Sequence, residues 1–269
     1  MKKKFAAVSC SALLAIVASS TTSGFASWNT KYWTNEKNFN RISSFNVSEN
    51  LPEGAKSTTK TSSEVVTTSD DGKTLMYTDS DLGVVGLVDI SDPAKPKALG
   101  IVELEAEPTG IAASENNAYI GSNTSESYTN PSGALVQYNL ETRKKIKQCN
   151  VGGQPDSVFV SPDGTFVAVA IENERDEEYK DGVIPQLDEE GNQINPAGYV
   201  ALIKLNKKGN LKCSSIKKVD LTGLASIASS DPEPEFVAIN DLGETVVSLQ
   251  ENNHLAVIDK DGNVISHFT

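Results

Sequence analysis

The sequence predicts an all-β chain of repeated four-stranded units, and three observations predict it. A ten-residue pattern occurs four times, as SEVVTTSDDG (Ser63 to Gly72), PTGIAASENN (Pro108 to Asn117), PDSVFVSPDG (Pro155 to Gly164) and PEFVAINDLG (Pro234 to Gly243). Each copy is a short apolar run ending in a polar Asp/Asn/Gly turn, built from residues that take left-handed backbone angles at little cost. The copies start 45, 47 and 79 residues apart, which is one period twice and then one period plus an insertion. Beyond the first 26 residues, no stretch carries a sustained apolar stripe at helical spacing.

A period near 45 residues made of short strands is that of β-propeller blades. Each unit divides into four strand-like runs bounded by turn residues. The first gives EVVTTS, TLMYTD, VGLVDI and ALGIVEL, and the fourth gives EFVAIN, TVVSLQ, HLAVID and VISHF. The expected architecture is four blade-like repeats of four antiparallel strands over residues 63–269, an incomplete part of a larger propeller. Residues 27–62 read as an N-terminal segment in which RISSFNV (Arg41 to Val47) is the expected ring-closing strand. Open ends of such an array would expose strand residues such as Val65, Tyr77, Val246 and Leu255, and association through those ends is expected.

The first 26 residues have the order of a secretory signal peptide: Lys2 to Lys4, an uncharged apolar run from Phe5 to Ser20, then Gly24-Phe25-Ala26. Cleavage is expected after Ala26, leaving Ser27 first, in the periplasm or outside the cell. Cys10 lies within the apolar run, too early to carry a lipid. That run is too short for a convincing membrane span. Losing Lys2, Lys3 and Lys4 moves the formal charge from −12 to −15. Such a surface repels nucleic acid and anionic lipid and attracts cations.

Cys149 and Cys213 remain in an oxidising compartment. A disulfide between them is allowed, but two cysteines over this length are not a disulfide scaffold, and free thiols are the favoured expectation. There is no CxxC pair, and His254 and His267 read as unpaired, so no zinc site is expected. No GxSxG elbow or serine-histidine arrangement is visible, and the catalytic residues stay unassigned.

Blade geometry selects the candidate residues. In antiparallel blades the loop joining strands two and three emerges on the face where strand one begins. The second strands end at Thr78-Asp79-Ser80, Ser122 to Glu126, Glu172-Asn173-Glu174 and Gln250 to Asn253. The first strands begin at Glu64, Glu107-Pro108, Gln154-Pro155-Asp156 and Glu233-Pro234-Glu235. All crowd onto one acidic face. The stretch IENERDEEYKDG (Ile171 to Gly182), with six carboxylates and two cations, opens an insertion of about residues 175–198 on that face. Its outer acids read as a solvated lid. Glu172, Glu174 and Glu251, with Asp79 as a further candidate, read as ligands of a hard cation, because calcium takes six to eight oxygens. Carboxylates at strand ends also bind neighbouring backbone groups, a purely structural alternative.

The runs IENERDE, NTSESYTNPSG and PEPEFVAIN with QENN resemble those of the secreted bacterial propellers called the esterase-like activity of phytase family. The likeness runs in order from about Tyr32 to Phe268. It implies a propeller fold and a calcium-assisted hydrolase acting on a small phosphoester or ester. The alternative is a non-catalytic propeller that presents its acidic face to a protein or cell-envelope ligand.

Overall fold

The computed structural model describes residues 40–55, 59–176, 178–182 and 185–269. The expected signal peptide and its cleavage site lie outside the described residues. From Ser43 onward the chain forms one compact unit of four antiparallel four-stranded sheets. They are β1 (Ser63–Thr68) to β4 (Lys97–Glu103), and β5 (Glu107–Ser114) to β8 (Lys145–Asn150). The third runs from β9 (Pro155–Val160) to β12 (Lys217–Asp220), the fourth from β13 (Pro234–Ile239) to β16 (Val264–Phe268). The strands follow each other in chain order across each sheet, as propeller blades require. The first strands β1, β5, β9 and β13 lie innermost and pack in succession. The sheets do not close into a ring.

Three apolar layers hold the sheets together, one at each junction. The strand β10 (Phe166–Ile171) shows why its sequence is apolar at every position. Successive side chains point to opposite faces of a strand. Val167, Val169 and Ile171 enter the layer shared with the second sheet, and Phe166, Ala168 and Ala170 the layer shared with the fourth. Both faces are covered, so alternation disappears. At the junction of the first two sheets Met76, Leu87, Ile111 and Ile120 meet.

The outer faces of the terminal sheets differ from each other. Tyr77, expected on an open face, is buried. A 3-10 turn, Val47–Asn50, lies over it: Asn50 Nδ2 donates to Tyr77 Oη at 3.0 Å, and Gly100 N donates to Asn50 Oδ1. Ser43 to Asn46, part of the expected ring-closing strand, join no sheet and lead instead into this turn. Val65 also differs from expectation, because it packs inward against the second sheet and leaves its neighbour Val66 exposed. On the fourth sheet Phe236, Val246 and Phe268 are exposed and Leu255 is half-buried, an apolar face without a neighbouring sheet.

Cys149 on β8 is bonded to Cys213, in a short turn before β12, with Cα atoms 5.2 Å apart. The bond ties the outer edge of the second sheet to the third. His254 and His267, read as unpaired, sit on the neighbouring strands β15 (His254–Ile258) and β16, with Nε2 and Nδ1 2.9 Å apart. Antiparallel pairing brings them together across 13 residues of sequence.

Linking residues 64 apart removes unfolded-state freedom worth about 4 kcal/mol in the chain-entropy picture. The double substitution Cys149→Ala, Cys213→Ala is therefore expected to cost several kcal/mol of stability, measured by urea unfolding. An unchanged midpoint would show that the bond does not form in the folded chain.

Candidate acidic functional site

The face is organised by one recurring contact. A side-chain oxygen at the end of strand two or just past it accepts the backbone N–H of the residue that leads into strand one. Asp79 Oδ1 accepts from Ser62 N at 3.0 Å, Asn173 Oδ1 from Gln154 N at 2.9 Å, and Asn252 Oδ1 from Glu233 N at 3.0 Å. In the second sheet Asn123 instead donates to the Glu107 carboxylate. Asn173 and Asn252 also donate, to Ala197 O and to three carbonyls of residues 227, 228 and 231. Asn173 adopts φ 52°, a left-handed conformation that Asn tolerates better than most residues. Gly198 closes the insertion where a Cβ would lie 2.5 Å from both Ile171 O and Pro234 Cδ.

Around these clasps the third and fourth sheets gather carboxyl groups. Asp156 comes from the start of β9, Glu172 and Glu174 from the end of β10, Glu233 and Glu235 from the start of β13. Burial raises the Glu172 carboxyl to about 8, helped by the charges of Asp156, Glu235, Glu174 and Glu233. Burial likewise lifts Asp156 to about 7, with Glu235 and Glu174 adding to it. Glu235 shifts upward for the same reasons, with Glu251 and Glu174 nearby. Gln154 Nε2 donates to Glu174 at 3.3 Å.

Arg175 is the cation of this group. It is 6% exposed and bonds Glu233 through Nη1 and Glu251 through Nη2, the latter at 3.2 Å. Burial disfavours its charge, but the two carboxylates more than offset that and hold it protonated. Asp156 also lines a cavity of about 240 Å³ along the inner strands, with Val65, Thr109, Ile111, Ser157 and Phe236.

The four candidate residues thus part company. Glu172 and Glu174 lie together with Asp156 and Glu235. Glu251 is engaged by Arg175. Asp79 belongs to the first sheet, where it is buried and serves as a clasp, its Oδ1 also accepting from Leu82 N. Among the described residues, no three His, Cys, Asp or Glu side chains form a group able to hold a metal. As a preassembled calcium cage these residues do not fit. Asp156, Glu233 and Glu235 were placed on this face but not among the cation ligands, and Arg175 was not singled out. The signal for the three acids was the acid beside proline at two strand starts, QPD and PEPE.

Residues 64–268 match the choice-of-anchor I domain. The chain belongs to that family. No curated protein sequence matches it. Similar solved structures include a periplasmic gluconolactonase of Pseudomonas aeruginosa, at 16% identity and TM-score 0.51. That comparison covers 84% of this chain and 57% of the other. A putative 6-phosphogluconolactonase of Bacteroides uniformis gives 16% identity and TM-score 0.50, covering 79% and 55%. The chain spans little more than half the length of either, and the likeness is one of fold. No helix among the described residues is long and apolar enough to cross a membrane.

The raised carboxyls have a measurable consequence. An acid whose pKa is higher when folded binds more protons in the native state, so stability falls as pH rises between the two values. For Glu172 that window runs from about 4.5 to about 8. Glu172→Gln is therefore expected to leave stability at pH 4 little changed and to raise it at pH 9, by urea unfolding. Equal stability of mutant and wild type at pH 9 would show that Glu172 ionises without strain.

Proposed function

We propose that this chain is an extracytoplasmic propeller whose acidic face hydrolyses a small ester, with Asp156 and Glu172 sharing the acid and base roles. The observation that carries this reading is a pair of interacting carboxyls held near 7 and 8, beside a largely apolar cavity. Catalytic acids work best when their pKa lies near the operating pH. One carboxylate would take a proton from water as the hydroxyl attacks the ester carbon or phosphorus. The other carboxyl would give its proton to the departing alkoxide as the C–O or P–O bond breaks. A proton exchanged between the two restores the starting state.

The resemblance to the esterase-like activity of phytase family supports a hydrolase. The electrostatics favour a neutral carboxylic ester over a phosphoester, because a phosphate dianion would meet clustered carboxylates with one guanidinium among them. Calcium belongs to an alternative state of this face, in which Glu172 has lost its proton and its oxygens, with those of Glu174, suit a hard cation. Bound there, it would neutralise the face towards an anionic substrate. Its affinity would rise with pH as the ion displaces protons.

The test is hydrolysis of p-nitrophenyl butyrate and p-nitrophenyl phosphate by the exported chain, with calcium and with chelator. Turnover of the butyrate is expected, falling on the order of 10²-fold in Glu172→Gln. No turnover of either, or full activity in that variant, would sink the reading. A phosphate-specific, calcium-dependent rate would move it to phosphoesters.

The exposed Phe236, Val246 and Phe268 favour a second reading, in which the chain binds through its open sheet face. Contiguous apolar surface of this kind marks interaction sites. Dimers dissociated by Phe236→Glu are then expected in sedimentation velocity. A monomer at every concentration would exclude association between copies through this face.

A further inference from the structure

The insertion after β10 is fastened to the segment leading into β13 by a knot of amide groups. Gln193 Nε2 donates to Asn195 O at 3.0 Å and to Ser230 O at 3.3 Å. Asn195 Nδ2 donates to Asp231 Oδ1 at 3.1 Å, and Ile194 N to Gln186 O at 2.9 Å. Gln186 Nε2 in turn donates to Asp176 O. The three side chains of Gln186, Asn195 and Asp231 are 1%, 1% and 0% exposed.

Each of the three keeps one oxygen with no partner: Gln186 Oε1, Asn195 Oδ1 and Asp231 Oδ2. Among the described residues six buried side-chain oxygens or hydroxyls lack a partner, so half of them fall in this one knot. Two of the other three are threonine hydroxyls, which can donate or accept. Gln186 Oε1 and Asn195 Oδ1 can only accept; Asp231 Oδ2 accepts when ionised, a form that burial disfavours and the Asn195 bond and the Arg175 charge favour. Rotating the amides does not help, because each amide nitrogen already faces an oxygen that demands a donor.

The knot therefore lacks something positive. Leaving a buried acceptor unpaired costs about 1–3 kcal/mol, and more for a charged one. Arg175, the nearby cation, already serves Glu233 and Glu251. A single water has two hydrogens for three acceptors. A hard divalent cation, by contrast, takes carboxylate and amide oxygens together, with backbone carbonyls and water completing its shell.

We propose that Asp231, Asn195 and Gln186 form a structural cation site of the calcium class, which pins the insertion to the lead-in of β13. The site uses no oxygen of Glu172 or Glu174 and does not rest on the hydrolase reading. By holding residues 228–231, where Asn252 also bonds, the ion would fix the start of β13.

The test is calcium titration of the chelator-treated full chain, followed by calorimetry and thermal unfolding. Wild type is expected to bind calcium with a rise in Tm, since a ligand specific to the folded state stabilises it. Asp231→Asn is expected to weaken binding at least tenfold and to abolish the rise, while Glu172→Gln keeps a rise. Asn195→Asp retains the oxygen and adds charge. It is expected to lower Tm in chelator and to enlarge the calcium-dependent rise, which keeps the inference testable if Asp231→Asn does not fold. A wild type indifferent to calcium, as ordered water alone would leave it, overturns the proposal. So does undiminished binding by Asp231→Asn, a rise lost in Glu172→Gln but kept in Asp231→Asn, or an Asn195→Asp variant that calcium does not rescue.

Discussion

A side-chain oxygen accepting the backbone N–H that leads into the innermost strand is the contact on which the rest of the acidic face depends. Asp79, Asn173 and Asn252 make it in three of the four sheets. It satisfies a backbone donor that would otherwise be buried without a partner, which costs as much as a lost hydrogen bond. It also fixes the end of strand two against the start of strand one. Residues flanking the clasp, such as Glu172, Glu174 and Glu233, are thereby held on the acidic face whatever their own charges prefer.

That holding explains the electrostatics. Carboxylates free to move would spread into solvent. Here Asp156, Glu172 and Glu235 are set close together by backbone geometry, partly out of water, and their hold on protons rises. Arg175 relieves only the side nearest the fourth sheet. Even beside that guanidinium, placed two residues after the Asn173 clasp, burial lifts the Glu233 carboxyl to about 7.

The open faces show the same economy of local contacts. One terminal sheet is covered by its own preceding segment, because Asn50 offers both an amide donor to Tyr77 and an acceptor to Gly100. The other terminal sheet has no such cover among the described residues, and its alternate residues Phe236 and Val246 stay exposed.

Periodicity made the sheets legible in the sequence. The sixteen strands follow from a repeat near 45 residues, from turns rich in Asp, Asn and Gly, and from period-two packing between covered faces. Expected and observed limits of TLMYTD and VISHF coincide with β2 (Thr74–Asp79) and β16. The shared face of Glu172, Glu174 and the PEPE segment was legible too, since antiparallel order alone dictates it. What the sequence could not rank was the use of each carboxylate. Asp79 and Glu172 look alike as acids at strand ends, yet one accepts two backbone N–H groups while the other is crowded by like charges. The pairings of His254 with His267, Cys149 with Cys213 and Arg175 with Glu233 were likewise decided by tertiary structure. A side chain's partners come from strands and sheets distant in sequence, and charge or polarity at a single position carries no record of them.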